Sequence, residues 1–160
     1  MKLVFLDVDG VLNCNTSTSR CKGMLGVDSD KVARLARIVH ESSAKIILIS
    51  TWKLDWFKTS NEKELPWLGR YLVSELAKYN VQIHDKTIDE QVIHRGKGIN
   101  NWMNNQGETI ESFVILDDDS FDYKYQGLSM YHVKTSFYHD GLQDCHVEKA
   151  IKLLNGGNKA

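Results

Sequence analysis

The sequence has one proline, Pro66, only three cysteines and no long apolar run, and its charges nearly cancel. Each scarcity excludes something. Lysine plus arginine number 20 against 21 aspartates and glutamates, a formal net charge of -1, so no overall basic field draws the chain to nucleic acid or to an anionic membrane; a local basic patch stays open. Cys14, Cys21 and Cys145 show no metal-ligand spacing, and their odd number suits reduced thiols. The apolar stretch at residues 3–6 is too short for a signal-peptide core or a membrane span and runs into acids, so a soluble, cytoplasmic protein is expected. No repeat or low-complexity tract interrupts the chain, and 160 residues suit one domain, expected to span 1–160.

What is present is an alternation. Leu3 to Leu6, Ile46 to Ile49, Phe113 to Leu116 and Tyr131 to Val133 read as strands, with a weaker one at Val81 to Ile83. The first three are almost wholly apolar, as parallel strands covered on both faces are. Between them, apolar residues recur at helical spacing: Val32, Leu35, Ala36, Ile38 and Val39 after a cap at Asp28 or Ser29; Leu68, Leu72, Leu76 and Tyr79 behind Pro66; Ile99, Trp102 and Met103 after Gly98; and Val147, Ile151 and Leu154 before Gly156 and Gly157. The expected fold is an α/β domain with a mostly parallel five-stranded sheet and helices on both faces. The longest stretch without a period, Asn13 to Val27, comes directly after the first strand, where a loop of that length is a candidate for function.

Ligands of such sheets sit outside the carboxyl ends of the strands, and there the chemistry gathers. Asp7 and Asp9 come after the first strand, Ser50, Thr51, Trp52 and Lys53 after the second, and Asp117, Asp118 and Asp119 after the Phe113–Leu116 run, with Asp122 a turn later; Arg95 and Lys97 open the helix before that run. Side chains two apart on an extended chain share a side, so Asp7 and Asp9 are expected to face one space, joined by Asp118 if the two strands are neighbours. Three carboxylates there would raise one another's pKa unless a hard cation neutralised them, and oxygen-only ligands with room for water suit Mg2+. Any one of these aspartates could be a turn or cap residue. Together with a hydroxyl and a cation they describe a pocket for a tetrahedral dianion, the requirement of phosphoryl transfer.

In this pattern the chain resembles the haloacid dehalogenase-like (HAD) superfamily of phosphohydrolases. Its four motifs occur in order: D-x-D-G as Asp7-Val8-Asp9-Gly10, a strand ending in Ser50, a basic residue at a helix start, and the acidic run Asp117-Asp118-Asp119. Within it, the strings ISTWK, RGKGINNWM, VILDDDSFD and DGLQDCHVEKAIKLLN are similar to the HAD domain of Swiss Army Knife RNA repair proteins. The resemblance implies a three-layer Rossmann-like fold and a phosphatase in which Asp7 is the nucleophile, Asp9 the general acid, and Ser50 a phosphoryl contact. It also implies Mg2+ held by Asp7, the Asp9 carbonyl and Asp118, with Asp117 an alternative and Asp122 the second acid. For the basic residue, superfamily usage favours Lys97 and the subgroup's R-G-x-x-I-x-x-W pattern favours Arg95. No cap domain is expected, since residues 13–27 suffice only for a flap. An open crevice implies large substrates such as phosphorylated nucleic-acid ends, with RNA repair partners.

Two other classes compete. A receiver-type signalling domain also phosphorylates an aspartate beside Mg2+, but would carry it on a middle strand; a non-catalytic phosphate binder would have no use for Asp9. Within the enzymatic reading, a small-metabolite phosphatase is the alternative. Gly10, Thr51, Trp52 and Lys53 are the candidate substrate contacts. Trp52, with Trp56, Phe57 and Trp67 nearby in sequence, is either core or a platform for a base, and Lys53, Lys58, Arg20 and Lys22 are candidates for phosphates along a strand.

Overall fold

The computed structural model describes residues 1–156; Gly157, read above as part of the last helix's stop, lies outside them. In chain order the elements are β1 (Lys2–Leu6), β2 (Arg20–Cys21), β3 (Met24–Leu25), α1 (Ser29–Ser42), β4 (Lys45–Leu48), α2 (Trp67–Ala77), β5 (Ile83–Lys86), α3 (Arg95–Asn104), β6 (Ser112–Asp117), β7 (His132–Lys134) and α4 (Asp144–Asn155). The main sheet has five strands in the order β5-β4-β1-β6-β7, every pair parallel. Leu6 is level with Leu48 on one side and Leu116 on the other.

Alternation along β1 explains the layers. Val4 and Leu6 enter one core with α1, α2 and α4, through Leu35, Leu72 and Val147, while Leu3 and Phe5 enter a second core with Ile99 and Trp102 of α3. Both faces are therefore apolar, as continuous hydrophobic strands require. Each fully buried leucine or isoleucine contributes about 1.5–3 kcal/mol against leaving it in water. This is the expected three-layer α/β arrangement, with helices on both faces.

Two expectations move. The weak strand lies two residues later than its apolar signal: β5 runs through Ile83, His84, Asp85 and Lys86, all half-buried, because it is an edge strand and has no continuous apolar face to advertise. The first loop is a hairpin, β2 against β3, turning at Lys22 and Gly23 with positive φ of 50° and 82°. It is the only element between β1 and α1 among the described residues, and α2, β5 and α3 fill the interval from β4 to β6, so neither position carries a cap. None of the described helices is long and apolar enough to cross a membrane.

The strand order also decides between two readings of the acids. Running outward from β1, the chain adds β4 and β5 on one side and then returns to place β6 and β7 on the other. Numbered along the chain this is the 3-2-1-4-5 order of a Rossmann sheet, whereas receiver domains carry the flavodoxin-like 2-1-3-4-5 order. The receiver alternative is thereby excluded, and the reversal point falls between β1 and β6.

Candidate active site

At that reversal the ladder runs one step beyond the strands. The Asp7 N–H donates to the Leu116 carbonyl at 2.9 Å, Ile49 N–H to Leu6 at 2.9 Å, and Thr135 N–H to Asp117 at 3.1 Å. Register thus carries Asp7 beside Asp117, and oxygens of Asp7, Asp117 and Asp118 all lie within 4.8 Å of one another. Gly10 permits this approach. Its φ is +78°, and a Cβ there would sit 2.3 Å from the Asp118 carboxylate.

Arg95, the first residue of α3, answers the acids. Its Nη1 lies 2.7 Å from Asp117 Oδ2 and 3.3 Å from Asp7 Oδ1, its guanidinium rests 4.2 Å over the Phe121 ring, and the residue is 4% exposed. Burial works against its charge, yet Asp7 and Asp117 hold its pKa above the ordinary arginine range. Asp7 is pushed up to about 7, first by burial and then by Asp117, with Arg95 pulling the other way. Asp118 is raised too, by burial and by Asp117. Asp117 is fully buried and accepts at both oxygens: Oδ2 from Arg95 and from the Tyr123 hydroxyl at 2.6 Å, Oδ1 from the Asp119 N–H at 2.9 Å.

That occupancy separates the two candidate ligands. Asp117 is committed to holding Arg95 and Tyr123, leaving Asp7 and half-exposed Asp118 as the pair suited to face a cation. An all-oxygen donor set, with Asp7 raised by burial and then by Asp117, fits a small hard ion that retains waters, such as Mg2+.

The remaining expected site residues divide. Asp9 is exposed, and its carboxylate does not point into the acid cluster as strand alternation suggested; Asn13 Nδ2 holds Oδ1 at 2.8 Å and Trp52 Nε1 holds Oδ2 at 3.0 Å. The reason is that the chain leaves extended geometry at Val8, whose carbonyl accepts from Val11 and Leu12 in a tight turn. Ser50 is 1% exposed at the end of β4, its Oγ accepting the Trp52 N–H at 3.2 Å and thereby capping the short 3-10 turn Thr51–Asp55; Thr51 is exposed. Asp122 is not in the cluster of Asp7, Asp117 and Asp118: it accepts the N–H groups of Gly96, at 2.6 Å, and Lys97, at 3.1 Å, and so caps α3 from across the loop. Lys97 turns outward to Glu90 at 3.0 Å, and Arg95 alone of the two reaches the acids.

The expected nucleic-acid contacts fare worst. Trp52 is 5% exposed and packs in the core at 6.4 Å from Tyr71, so its ring offers no face to a base. Lys53 is buried, bonded to Asp89 and at 3.1 Å to Thr87 Oγ1; burial lowers its pKa while Asp89 opposes that. Arg20 is tied to the carbonyls of Ser17 and Ser19, Lys22 lies 5.1 Å over Trp67, and Lys58 lines a cavity with Lys45 and Ile83, at the amino ends of β4 and β5, opposite the acids.

Four residues join the site that motif reading did not single out. Asn13, fully buried, accepts from the Gly10 N–H at 3.0 Å and donates to Asp9 and to the Gly26 carbonyl, fastening the acidic turn to the hairpin. Thr135 donates to the Gly10 carbonyl at 2.7 Å, and Tyr123 and Phe121 brace the Asp117–Arg95 pair.

With this geometry in hand, a family model described as the HAD domain in Swiss Army Knife RNA repair proteins matches residues 3–147. No curated relative and no solved structure matches the chain.

Proposed function

The chain belongs to the HAD domain family of Swiss Army Knife RNA repair proteins, a family of phosphohydrolases in general, and on that premise we propose that it is a Mg2+-dependent phosphatase using Asp7 as nucleophile. One observation carries the reading: Arg95 Nε is one of two buried side-chain nitrogens without a hydrogen-bond partner among the described residues, and it belongs to the guanidinium that already touches Asp7. A buried unpaired donor of this kind is costly unless a ligand accepts from it, and a phosphoryl oxygen would.

In this mechanism Arg95 and the Ser50 hydroxyl bind the equatorial phosphoryl oxygens. An Asp7 oxygen attacks phosphorus, the bond to the leaving oxygen breaks, and Asp9 gives that oxygen its proton. Asp9 then takes a proton from water, whose oxygen attacks phosphorus, and the bond to Asp7 breaks to release phosphate. Asp7, Asp118 and the Asp9 carbonyl would hold Mg2+, which supplies charge neutralisation for the transferring group. The substrate we infer is a phosphorylated nucleic-acid end or nucleotide, supported by the family and by an acid, Asp9, that stands open to solvent without a cap. Hydrolysis of a small phosphate monoester is expected to stop in excess chelator and return with Mg2+; full turnover under chelation would end the reading.

Asp9 as general acid has its own expected result. Asp9→Asn loses about 10²- to 10⁴-fold in efficiency on alkyl phosphates and far less on aryl phosphates whose oxygen leaves unaided. Trp52→Phe keeps an aromatic in the core but removes the N–H that orients Asp9, so it shifts the alkyl-to-aryl ratio the same way by a smaller factor. Equal losses on both esters in Asp9→Asn would remove Asp9 from that role.

A further inference from the structure

A cleft of about 180 Å³ opens beside the acids, between the Thr51–Asp55 turn and residues 89–92. It adjoins the reaction centre through Arg95, which lines it and lies 3.3 Å from Asp7. Ile49 is a buried part of its lining, while Leu54 and Val92 stand in solvent, 79% and 51% exposed. Two exposed aliphatic side chains lining one concave space next to a reaction centre suit a surface that a ligand covers.

Charge decides which part of a substrate fits. Lys53 is held by Asp89, Arg95 faces Asp7 and Asp117, and Glu90 pairs with Lys97. Each charged side chain lining the cleft is thus matched, so a second phosphate would meet no uncommitted cation there. A neutral planar ring meets aliphatic carbon from Leu54 and Val92 and, from Gln91, an amide that both donates and accepts. The space is also below the roughly 300 Å³ at which pockets for drug-sized ligands begin, which suits one ring system and no longer segment.

We propose that this cleft is a nucleobase subsite for the nucleotide bearing the scissile phosphate, an assignment that rests on the phosphatase reading above. It replaces Trp52, whose ring is buried, as the part of the molecule that recognises a base. The subsite gives the enzyme a preference for nucleotides over the corresponding sugar phosphates, and because the ring is neutral the preference is nearly independent of salt.

The test measures kcat/KM for adenosine and uridine monophosphates, 5'- and 3'-linked, and for ribose 5-phosphate and ribose 3-phosphate respectively, in wild type, Leu54→Ser and Val92→Ser. The quantity read is the nucleotide-to-sugar ratio, which cancels any general loss of activity. In wild type it is expected to exceed one for at least one linkage, and in each variant to fall by about fivefold, the scale of losing a few methylene contacts in an apolar pocket. A wild-type ratio near one, or a ratio unchanged in both variants, would overturn the subsite while leaving the phosphatase intact. Absence of hydrolysis on every phosphate in the presence of Mg2+ would overturn the phosphatase reading, and the subsite with it.

Discussion

Asp7→Asn is expected to abolish turnover, by roughly 10⁴-fold or more, and at the same time to stabilise the metal-free protein above neutral pH. The first half comes from chemistry: an amide nitrogen or oxygen does not form the acyl phosphate. The second comes from electrostatics. Asp7 is raised to about 7, chiefly by burial and next by Asp117, so between its ordinary range near 4 and pH 7 the folded protein keeps a proton that the unfolded chain has lost. In that window the folded state binds more protons, and stability from this group falls as pH rises; above pH 7 both states are ionised and the penalty is complete. Asparagine is neutral throughout. The melting temperature of Asp7→Asn relative to wild type should therefore be near parity at pH 4 and climb by several degrees towards pH 8, at about 2–4 °C per kcal/mol for a domain of this size. Mg2+ is expected to raise the wild-type value at pH 8 and to do much less for the variant. Thermal unfolding across pH with and without Mg2+ checks both statements. A variant that is inactive but no more stable at pH 8 would show that Asp7 is not the strained charge of the cluster, and one that retains turnover would show that it is not the nucleophile.

How much of the site is legible in the sequence depends on which strands announce themselves. β1, β4 and β6 are apolar on both faces, so their carboxyl ends stand out in the sequence, and Asp7, Ser50 and Asp117–Asp118 stand out with them. The edge strands deliver residues to the same side: Thr135 after β7, and Thr87 and Asp89 after β5. Thr87 and Asp89 stay hidden because half-buried His84, Asp85 and Lys86 do not look like a strand, and the apolar signal at Val81 precedes it. Strand ends also say which residues arrive at the crevice but not which partner each carboxylate takes. Asp117, Asp118 and Asp122 are equivalent by composition. One is tied to Arg95 and Tyr123, one faces Asp7, and one caps α3, and only packing separates them. Trp52 illustrates the converse: its position after Ser50 is right for the site, but the part that matters is the indole N–H on Asp9, with the ring turned into the core.

The choice between Arg95 and Lys97 leads to the second large effect. Arg95→Ala leaves Asp7 and Asp117 buried beside each other without the charge between them, and removing one partner from a buried cluster typically costs about 3–5 kcal/mol. Activity is expected to fall by about 10²- to 10³-fold as well, since the same group would meet the charge that develops on the phosphoryl oxygens. Arg95→Lys separates the two contributions. Lysine restores a positive charge and hence much of the stability, but a single ammonium lacks the planar fork that meets Asp7, Asp117 and an oxyanion together and that lies flat over Phe121, so most of the activity loss remains. Lys97→Ala is expected to stay within about twofold of wild type in both respects, because its pairing with Glu90 is a surface contact. Its backbone N–H, which Asp122 uses to cap α3, survives the substitution. Steady-state kinetics and thermal melts of the three variants decide the matter. If Lys97→Ala lost as much activity as Arg95→Ala, the cation would have to be reassigned to Lys97 and the outward Lys97–Glu90 pair would be a resting arrangement that breaks when substrate enters.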